Sequence, residues 1–290
     1  MGNGSTTLAV ISDIHGNYKA LEAFLSCLER HPADGILCLG DYVTDSPYPQ
    51  KAMKLIYAMR QKYPCYMIRG NRENYLLENA RESQGWKPSS ASGALYYTAM
   101  HMTERDIQFF AGLSEEREVK LDGCPPVYLC HGTPGKVRGN VNVEQGLREQ
   151  ALENISQKYL FGGHSHHQEI FYAQGKMYLN PGSLGLAIDG VGRRAQFATV
   201  RCERRDFAET AEWKAELHSI PYDVESFLQD FAESGLDECG MVLNRAVKKT
   251  LVTGINYFFE GILLAQEISG LPVSEIPESV WQKAAERLEL

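Results

Sequence analysis

The chain has 290 residues, 43% hydrophobic and 23% charged, with 26 Gly and 12 Pro, which excludes global disorder and a collagen-like repeat. Twenty-nine Lys and Arg against 37 Asp and Glu leave a net charge of −8, the wrong sign for non-specific binding to a nucleic-acid backbone. The length allows one large domain or two ordinary ones.

Met1-Gly-Asn-Gly-Ser-Thr6 lacks the charged and apolar regions of a signal peptide and reads as a flexible leader, although Gly2 and Thr6 fit a loose N-myristoylation pattern. Short apolar runs follow, each closing on a turn and a polar residue. Thr7–Ile11 leads into Ser12-Asp13, Gly35–Leu39 into Gly40-Asp41, and Cys65–Ile68 into Arg69-Gly70-Asn71. Val127–Cys130 leads into His131-Gly132, and Tyr159–Phe161 into Gly162-Gly163-His164. Such runs indicate strands buried on both faces. Helical patterns at Tyr18–Arg30 and Tyr48–Lys62 separate the first three, so the first third reads β-α-β-α-β. A further helix is expected over Ser92–Met102.

Beyond His164 the runs Ile170–Tyr172, Lys176–Leu179, Ala195–Val200 and Trp213–Ile220 are hairpin-like, and imply a second, mainly antiparallel sheet. Helical periodicity resumes over Val224–Ala232, Met241–Ile268 and Ser279–Leu288. These signals place a boundary near Pro221: a first domain of residues 1–221 and a helical extension of residues 222–290. The extension's apolar spacing suits packing on the first domain, with a homo-oligomer interface or a cover over the active site as alternatives. Leu251–Ala265, the most apolar stretch, is interrupted by Asn256 and Glu260 and falls short of a membrane span of roughly 18 to 20 residues. Seven cysteines without a C-x-x-C pair, several inside apolar runs, read as buried free thiols in a reducing, cytoplasmic compartment.

The strand ends carry the chemistry. Asp13, His15, Asp41, Asn71, His131, His164 and His166 all follow expected strands, and strand carboxyl ends converge on one crevice in an open α/β sheet. Carboxylate, amide and imidazole without thiolate suit Mn, Fe, Zn, Co or Ni, with Mn the first choice, and seven donors exceed the four of a single structural zinc. Two divalent ions account for all of them if Asp41 bridges: Asp13, His15, Asp41 and His166 on one, Asp41, Asn71, His131 and His164 on the other. Their charge exceeds that of Asp13 and Asp41, so the site attracts phosphate.

Ser12-Asp-Ile-His-Gly-Asn17, Gly40-Asp41, Gly70-Asn71, His131-Gly132, Gly163-His-Ser-His166 and Asn180-Pro-Gly-Ser183 together resemble the calcineurin-like metallophosphoesterase superfamily over roughly residues 7–220. Within it the chain is most similar to the compact bacterial phosphodiesterases and diadenosine-tetraphosphatase-like proteins. The resemblance implies a four-layer αββα sandwich in the α/β (α+β) class. It also implies a dinuclear site, with a bridging hydroxide attacking phosphorus in line with the leaving group. A phosphodiester or nucleotide-type phosphate ester is the expected substrate, with Asp41 and Arg72 in catalysis and Asn17 and Arg72 binding substrate. The family usually has a His after Gly-Asn as proton donor, whereas this chain reads Gly70-Asn71-Arg72-Glu73. Arginine stabilises charge but does not release a proton near neutral pH. That departure favours an alternative, a scaffold or regulatory binding protein with weakened catalysis; retention of every ligand favours the enzyme. His101 is either an exposed helix residue or a substitute proton donor, and Asn180–Ser183 either an anion-facing loop or a tight turn.

Overall fold

A computed structural model describes residues 4–82, 85–139 and 146–290. In chain order its elements begin with β1 (Ser5–Ile11), α1 (Tyr18–Arg30), β2 (Gly35–Cys38), α2 (Pro49–Lys62), β3 (Cys65–Met67), α3 (Asn71–Glu82), α4 (Gly93–His101) and α5 (Glu104–Ala111). There follow β4 (Glu116–Leu121), β5 (Cys124–Cys130), α6 (Leu147–Glu153), β6 (Tyr159–Phe161), β7 (Gln168–Ala173), β8 (Lys176–Pro181), β9 (Arg194–Glu203) and β10 (Trp213–Pro221). Four helices close the chain: α7 (Val224–Glu233), α8 (Leu236–Thr253), α9 (Tyr257–Ser269) and α10 (Glu278–Arg287).

β1 explains the layering. Successive side chains point to opposite faces of a strand, and on β1 both faces are apolar. Ala9 and Ile11 pack with Leu21, Phe24 and Leu28 of α1 and Met53 and Ile56 of α2. Leu8 and Val10 meet Val127, Leu129, Phe161 and Leu179 of the other sheet. On the far side, Leu160 and Tyr178 pack against Ala151 and Leu152 of α6. The result is a helix, sheet, sheet, helix sandwich, as the resemblance implies.

Each sheet has five strands, in the orders β10-β9-β1-β2-β3 and β4-β5-β6-β8-β7. β1, β2 and β3 are parallel, as are β5, β6 and β8, while β9, β10, β4 and β7 run antiparallel to their neighbours. The expectation that everything after His164 forms the second sheet is therefore corrected. β7 and β8 join it, but β9 returns to the first sheet and pairs with β1 from Ser5↔Glu203 to Val10↔Ala198. The reason is burial: Phe197 supplies the helix-facing core, and Ala198 and Val200 the inter-sheet core, that the β1 edge requires.

The helical run expected over Met241–Ile268 is two helices. Gly254, at φ +70°, ends α8, and the Asn256 side chain caps α9 by accepting from Phe259 N–H. The closing helices pack on the first turns of α1 and α2, on α4 and on the loop after β8. Phe227, Phe231, Leu236, Val247 and Leu251 form one cluster with Tyr18, Ala52, Tyr97 and Leu186. Ile255, Phe259 and Leu263 remain exposed on the extension. No helix among the described residues is long and apolar enough to cross a membrane. All seven cysteines are free thiols, with Cys38, Cys124, Cys130 and Cys202 buried.

Candidate metal centre

The two sheets deliver their polar strand ends to one place. Asp13 and His15 follow β1, Asp41 follows β2 and Asn71 opens α3; His131 follows β5, and His164 and His166 follow β6. The loops are laced together by backbone: Asp13 N–H donates to Gly40 O (3.0 Å), His15 N–H to Asp41 O (3.0 Å) and Gly163 N–H to His131 O (2.7 Å). Five of these seven residues sit in the left-handed region, Asp13 at φ 53°, His15 at 47°, Asp41 at 54°, His164 at 65° and His166 at 60°. Such conformations cost non-glycine residues free energy and persist where surrounding structure enforces them, commonly at functional sites. Close approach fixes two glycines as well. A Cβ on Gly70 would stand 2.2 Å from Asp41 Oδ1, and one on Gly163 2.0 Å from Ser12 Oγ.

Two clusters result, each with donor atoms within 4.8 Å of one another: Asp13, His15 and His166, and Asp41, His131 and His164. In the first, His166 Nε2 lies 3.1 Å from His15 Nε2 and 3.2 Å from Asp13 Oδ1. In the second, His131 Nε2 lies 3.4 Å from Asp41 Oδ2 and 3.2 Å from Asn71 Oδ1, which brings the seventh expected residue in. Asp41 Oδ2 is also 3.9 Å from His15 Nε2, and Asp13 Oδ1 3.9 Å from His131 Nε2, so a carboxylate oxygen from each cluster reaches toward the other.

The surroundings aim these donors inward. His131 Nδ1 faces Leu39 O at 2.7 Å, His166 Nδ1 faces Leu186 O at 2.8 Å, and His15 Nδ1 faces Asp45 Oδ2 at 3.1 Å. An acceptor at Nδ1 places the proton there and turns the Nε2 lone pair to the centre. Asp13 Oδ2 accepts from Ser12 Oγ and His164 N–H, whereas Asp13 Oδ1 is buried without any hydrogen-bond partner. An orphaned carboxylate oxygen among inward-facing imidazole lone pairs fits divalent cations. Without an ion, protons on the histidines take part of the cations' place and must leave when metal binds. Burial alone would raise the Asp13 and Asp41 carboxyls, yet charge on the neighbouring histidines holds both below the usual carboxylate range. Burial works against charge on His131, and the Asp41 and Asp13 carboxylates overturn it, raising the imidazole to about 10. His164 goes the other way, to about 4, through burial and the charge of His131.

Other expectations meet mixed outcomes. Asn17 is engaged within the fold. It is fully buried; its Oδ1 caps α1 by accepting from Ala20 N–H, and its Nδ2 donates to Gly185 O (2.8 Å) and Tyr222 Oη (2.9 Å), leaving nothing for a phosphate. Arg72 stands at the centre's edge, with Nη2 3.0 Å from Asp45 Oδ2, Nε 4.0 Å from Asp41 Oδ2, and its guanidinium 5.7 Å from the Phe258 ring centroid. His101 Nδ1 lies 2.8 Å from Tyr97 O on its own helix. Asn180–Ser183 is a bracing turn: Asn180 Nδ2 holds Gly163 O (2.9 Å), and Ser183 Oγ donates to Asp13 O (2.7 Å).

Two further carboxylates complete the surroundings: Glu73, which the sequence leaves undecided as a partner of Arg72, and Asp45, which it does not single out. Glu73 is fully buried and accepts Asp41 and Gly70 N–H on Oε2 (2.9 and 2.8 Å) and Tyr42 N–H on Oε1 (2.8 Å), which locks Asp41 in place. Asp45, 2% exposed, sits between His15 and Arg72. The spacing Gly70-x-x-Glu73 is a signal for the first, since a carboxylate three residues into a helix commonly reaches back to the N-cap N–H.

The sequence profile of the calcineurin-like phosphoesterase superfamily domain matches residues 7–205. An uncharacterized protein of Methanocaldococcus jannaschii, MJ0912, is 25% identical over 248 residues, covering 80% of this chain and 94% of that one. Among solved structures, the hypothetical protein PH1004 of Pyrococcus horikoshii superposes with a TM-score of 0.70 at 19% identity, over 86% of this chain and 98% of that chain. A metallophosphoesterase of Sphaerobacter thermophilus gives 0.64 at 21% identity, over 86% of this chain and all of its own. Both superpositions cover more of the chain than the residues before Pro221 supply, so these folds share part of the helical extension. With the profile spanning most of the chain and the metal-binding donors gathered where its strands end, the protein belongs to the calcineurin-like phosphoesterase superfamily and is a metal-dependent phosphoesterase.

Proposed function

We propose that the chain hydrolyses phosphodiesters or nucleotide-type phosphate esters at a dinuclear centre in the cytoplasm. Asp13, His15, Asp41 and His166 would hold one ion, and Asp41, Asn71, His131 and His164 the other. The observation that carries this reading is Asp41 Oδ2, 3.4 Å from His131 Nε2 in one cluster and 3.9 Å from His15 Nε2 in the other. A carboxylate placed between two donor sets suits two neighbouring cations.

Bound there, divalent ions such as Mn, Fe, Zn, Co or Ni supply neutralisation of the phosphate oxygens and an activated water for in-line attack. The chain's residues do the rest. The contacts behind His15, His131 and His166 hold these donors from the rear, which limits reorganisation during the reaction. Arg72 presents permanent positive charge beside Asp41, suited to developing negative charge on phosphate or leaving group. It has no proton to give, which favours substrates whose leaving oxygen is stable as an anion. Nucleotide phosphates and aryl phosphodiesters meet that condition.

The test joins metal analysis to a rate assay on a phosphodiester and a phosphomonoester with the same leaving group. Two ions per wild-type chain, and loss of both activity and metal in Asp41→Ala, are expected. A chain that takes up no ion after incubation with Mn, or an active Asp41→Ala retaining two ions, overturns the assignment.

A further inference from the structure

We propose that Asp45 is a positioning residue that orients His15 toward the metal centre and holds the Arg72 guanidinium at its edge, so that ion binding and phosphate binding share one carboxylate. The proposal rests on the metal-centre reading above and adds to it a residue outside the ligand set.

Asp45 Oδ2 is a junction. It accepts from Thr44 Oγ1 (2.8 Å) and lies 3.1 Å from His15 Nδ1 and 3.0 Å from Arg72 Nη2. Asp45 is 2% exposed and sits at φ 63°, in the left-handed region. His131 and His166 are oriented by neutral backbone carbonyls, whereas His15 is backed by a carboxylate. A carboxylate behind an imidazole fixes the tautomer and raises the basicity of the other nitrogen more than a carbonyl does. Two otherwise similar histidines are thereby made unequal.

Arg72 needs the same group. A guanidinium beside two divalent cations is electrostatically disfavoured unless an anion compensates it. Asp45 makes the direct contact, and Asp41 stands behind at 4.0 Å. With Nη2 engaged and the Phe258 ring on one side, Arg72 Nε remains buried without a hydrogen-bond partner. An unpartnered buried donor at the edge of the metal centre is available to a phosphate oxygen. Removing Asp45 frees the side chain to turn away and leaves His15 without its orienting partner.

Three measurements test this. Nitrogen-15 NMR of the metal-free protein, above the pH range in which imidazole is charged, is expected to find the His15 proton on Nδ1. Calorimetric titration with Mn is expected to show one ion bound about 10- to 100-fold more weakly in Asp45→Asn. Arg72→Ala should bind both ions as the wild type does. At Mn concentrations that saturate both sites in every variant, inhibition by inorganic phosphate should weaken in both variants, by no more in the double variant than in Arg72→Ala alone, because with the ions in place the two residues act through one contact. Asp45→Glu should recover part of the ion affinity. A wild-type His15 proton on Nε2, wild-type ion affinities in Asp45→Asn, or phosphate effects that multiply would overturn the proposal. If Asp45→Asn does not fold, the wild-type tautomer and the unaltered ion affinity of Arg72→Ala still decide. A wild type that binds a single ion overturns the two-ion reading instead, while the tautomer and phosphate coupling continue to report on Asp45.

Discussion

His15 Nε2 and His166 Nε2 face one another across 3.1 Å, each with an acceptor behind its own Nδ1. Two lone pairs at that distance repel unless a proton or a metal cation lies between them, and both residues are held there by left-handed backbone. Metal binding replaces that proton and adds its binding free energy to the folded state. Free ion at a hundred times its Kd adds about 2.7 kcal/mol per site, which for a chain of this size is a rise in Tm of several degrees. Thermal unfolding after chelation, then with Mn, Zn, Fe, Co or Ni restored, measures it. His166→Ala should abolish most of the rise. Identical melting with and without every one of these ions would count against the site.

Glu73 holds three backbone N–H groups with two oxygens, and one of those N–H groups belongs to Asp41. Burial, with Asp41 nearby, pushes its carboxyl up to about 7 against the pull of those donors. In Glu73→Gln one acceptor becomes an NH₂ group that confronts a buried N–H. The expected cost is about 1–3 kcal/mol of stability, read by urea denaturation. Metal affinity should fall too, because Asp41 loses its backbone anchor. A variant with wild-type stability and metal content would show that the cradle contributes nothing.

The gathering of these donors was legible because a polar residue closing a fully apolar strand has few structural reasons to be there, and Asp13, Asp41 and His131 each stand so. Sheet membership was less legible. The apolar residues of Ala195–Val200 call for a buried edge without naming which strand supplies it, and only the pairing with β1 resolves this. The capping role of Asn17 was hidden for a related reason: a polar residue at a helix start looks the same whether it caps the helix or binds phosphate. Asp45, within Thr44-Asp45-Ser46-Pro47, reads as an ordinary turn. Its meaning depends on His15 and Arg72, which the chain separates from it by 30 and 27 positions, respectively, and the fold brings within 3.1 Å.

We propose residues 222–290 as an extension that the first domain needs for stability. Phe227 is fully buried among the rings of Tyr18, Tyr222 and Phe231, with centroids 5.8, 6.5 and 5.4 Å away. Tyr222 in turn accepts from Asn17, next to the His15 loop. Phe227→Ala should cost about 3–5 kcal/mol, visible as a lowered denaturation midpoint. Truncation after Pro221 strips the cover from Tyr18, Ala52, Tyr97 and Leu186 and should yield an aggregating product. A soluble, monomeric truncated chain with wild-type metal content would establish residues 1–221 as independent of the helices.

Arg72 occupies the place where related sequences are expected to carry a proton donor, and its contacts to Asp45 and Asp41 keep it charged: burial opposes that charge, and the two carboxylates outweigh it. The leaving oxygen must then depart largely unprotonated. General acid catalysis typically contributes about 10²- to 10⁴-fold, and that factor is missing for substrates with basic leaving groups. The wild-type rate should fall steeply as leaving-group pKa rises, with nitrophenolate and nucleotide-phosphate esters turned over well and alkyl phosphomonoesters poorly. Arg72→His should flatten the dependence by restoring a donor, and Arg72→Ala should slow every substrate by removing charge stabilisation. The measurement is the slope of log rate against leaving-group pKa in the three proteins. A shallow slope in the wild type would mean that a different group supplies the proton, and His101→Ala would then be the variant to examine, since its ring lies on α4, whose Tyr97 packs against the closing helices.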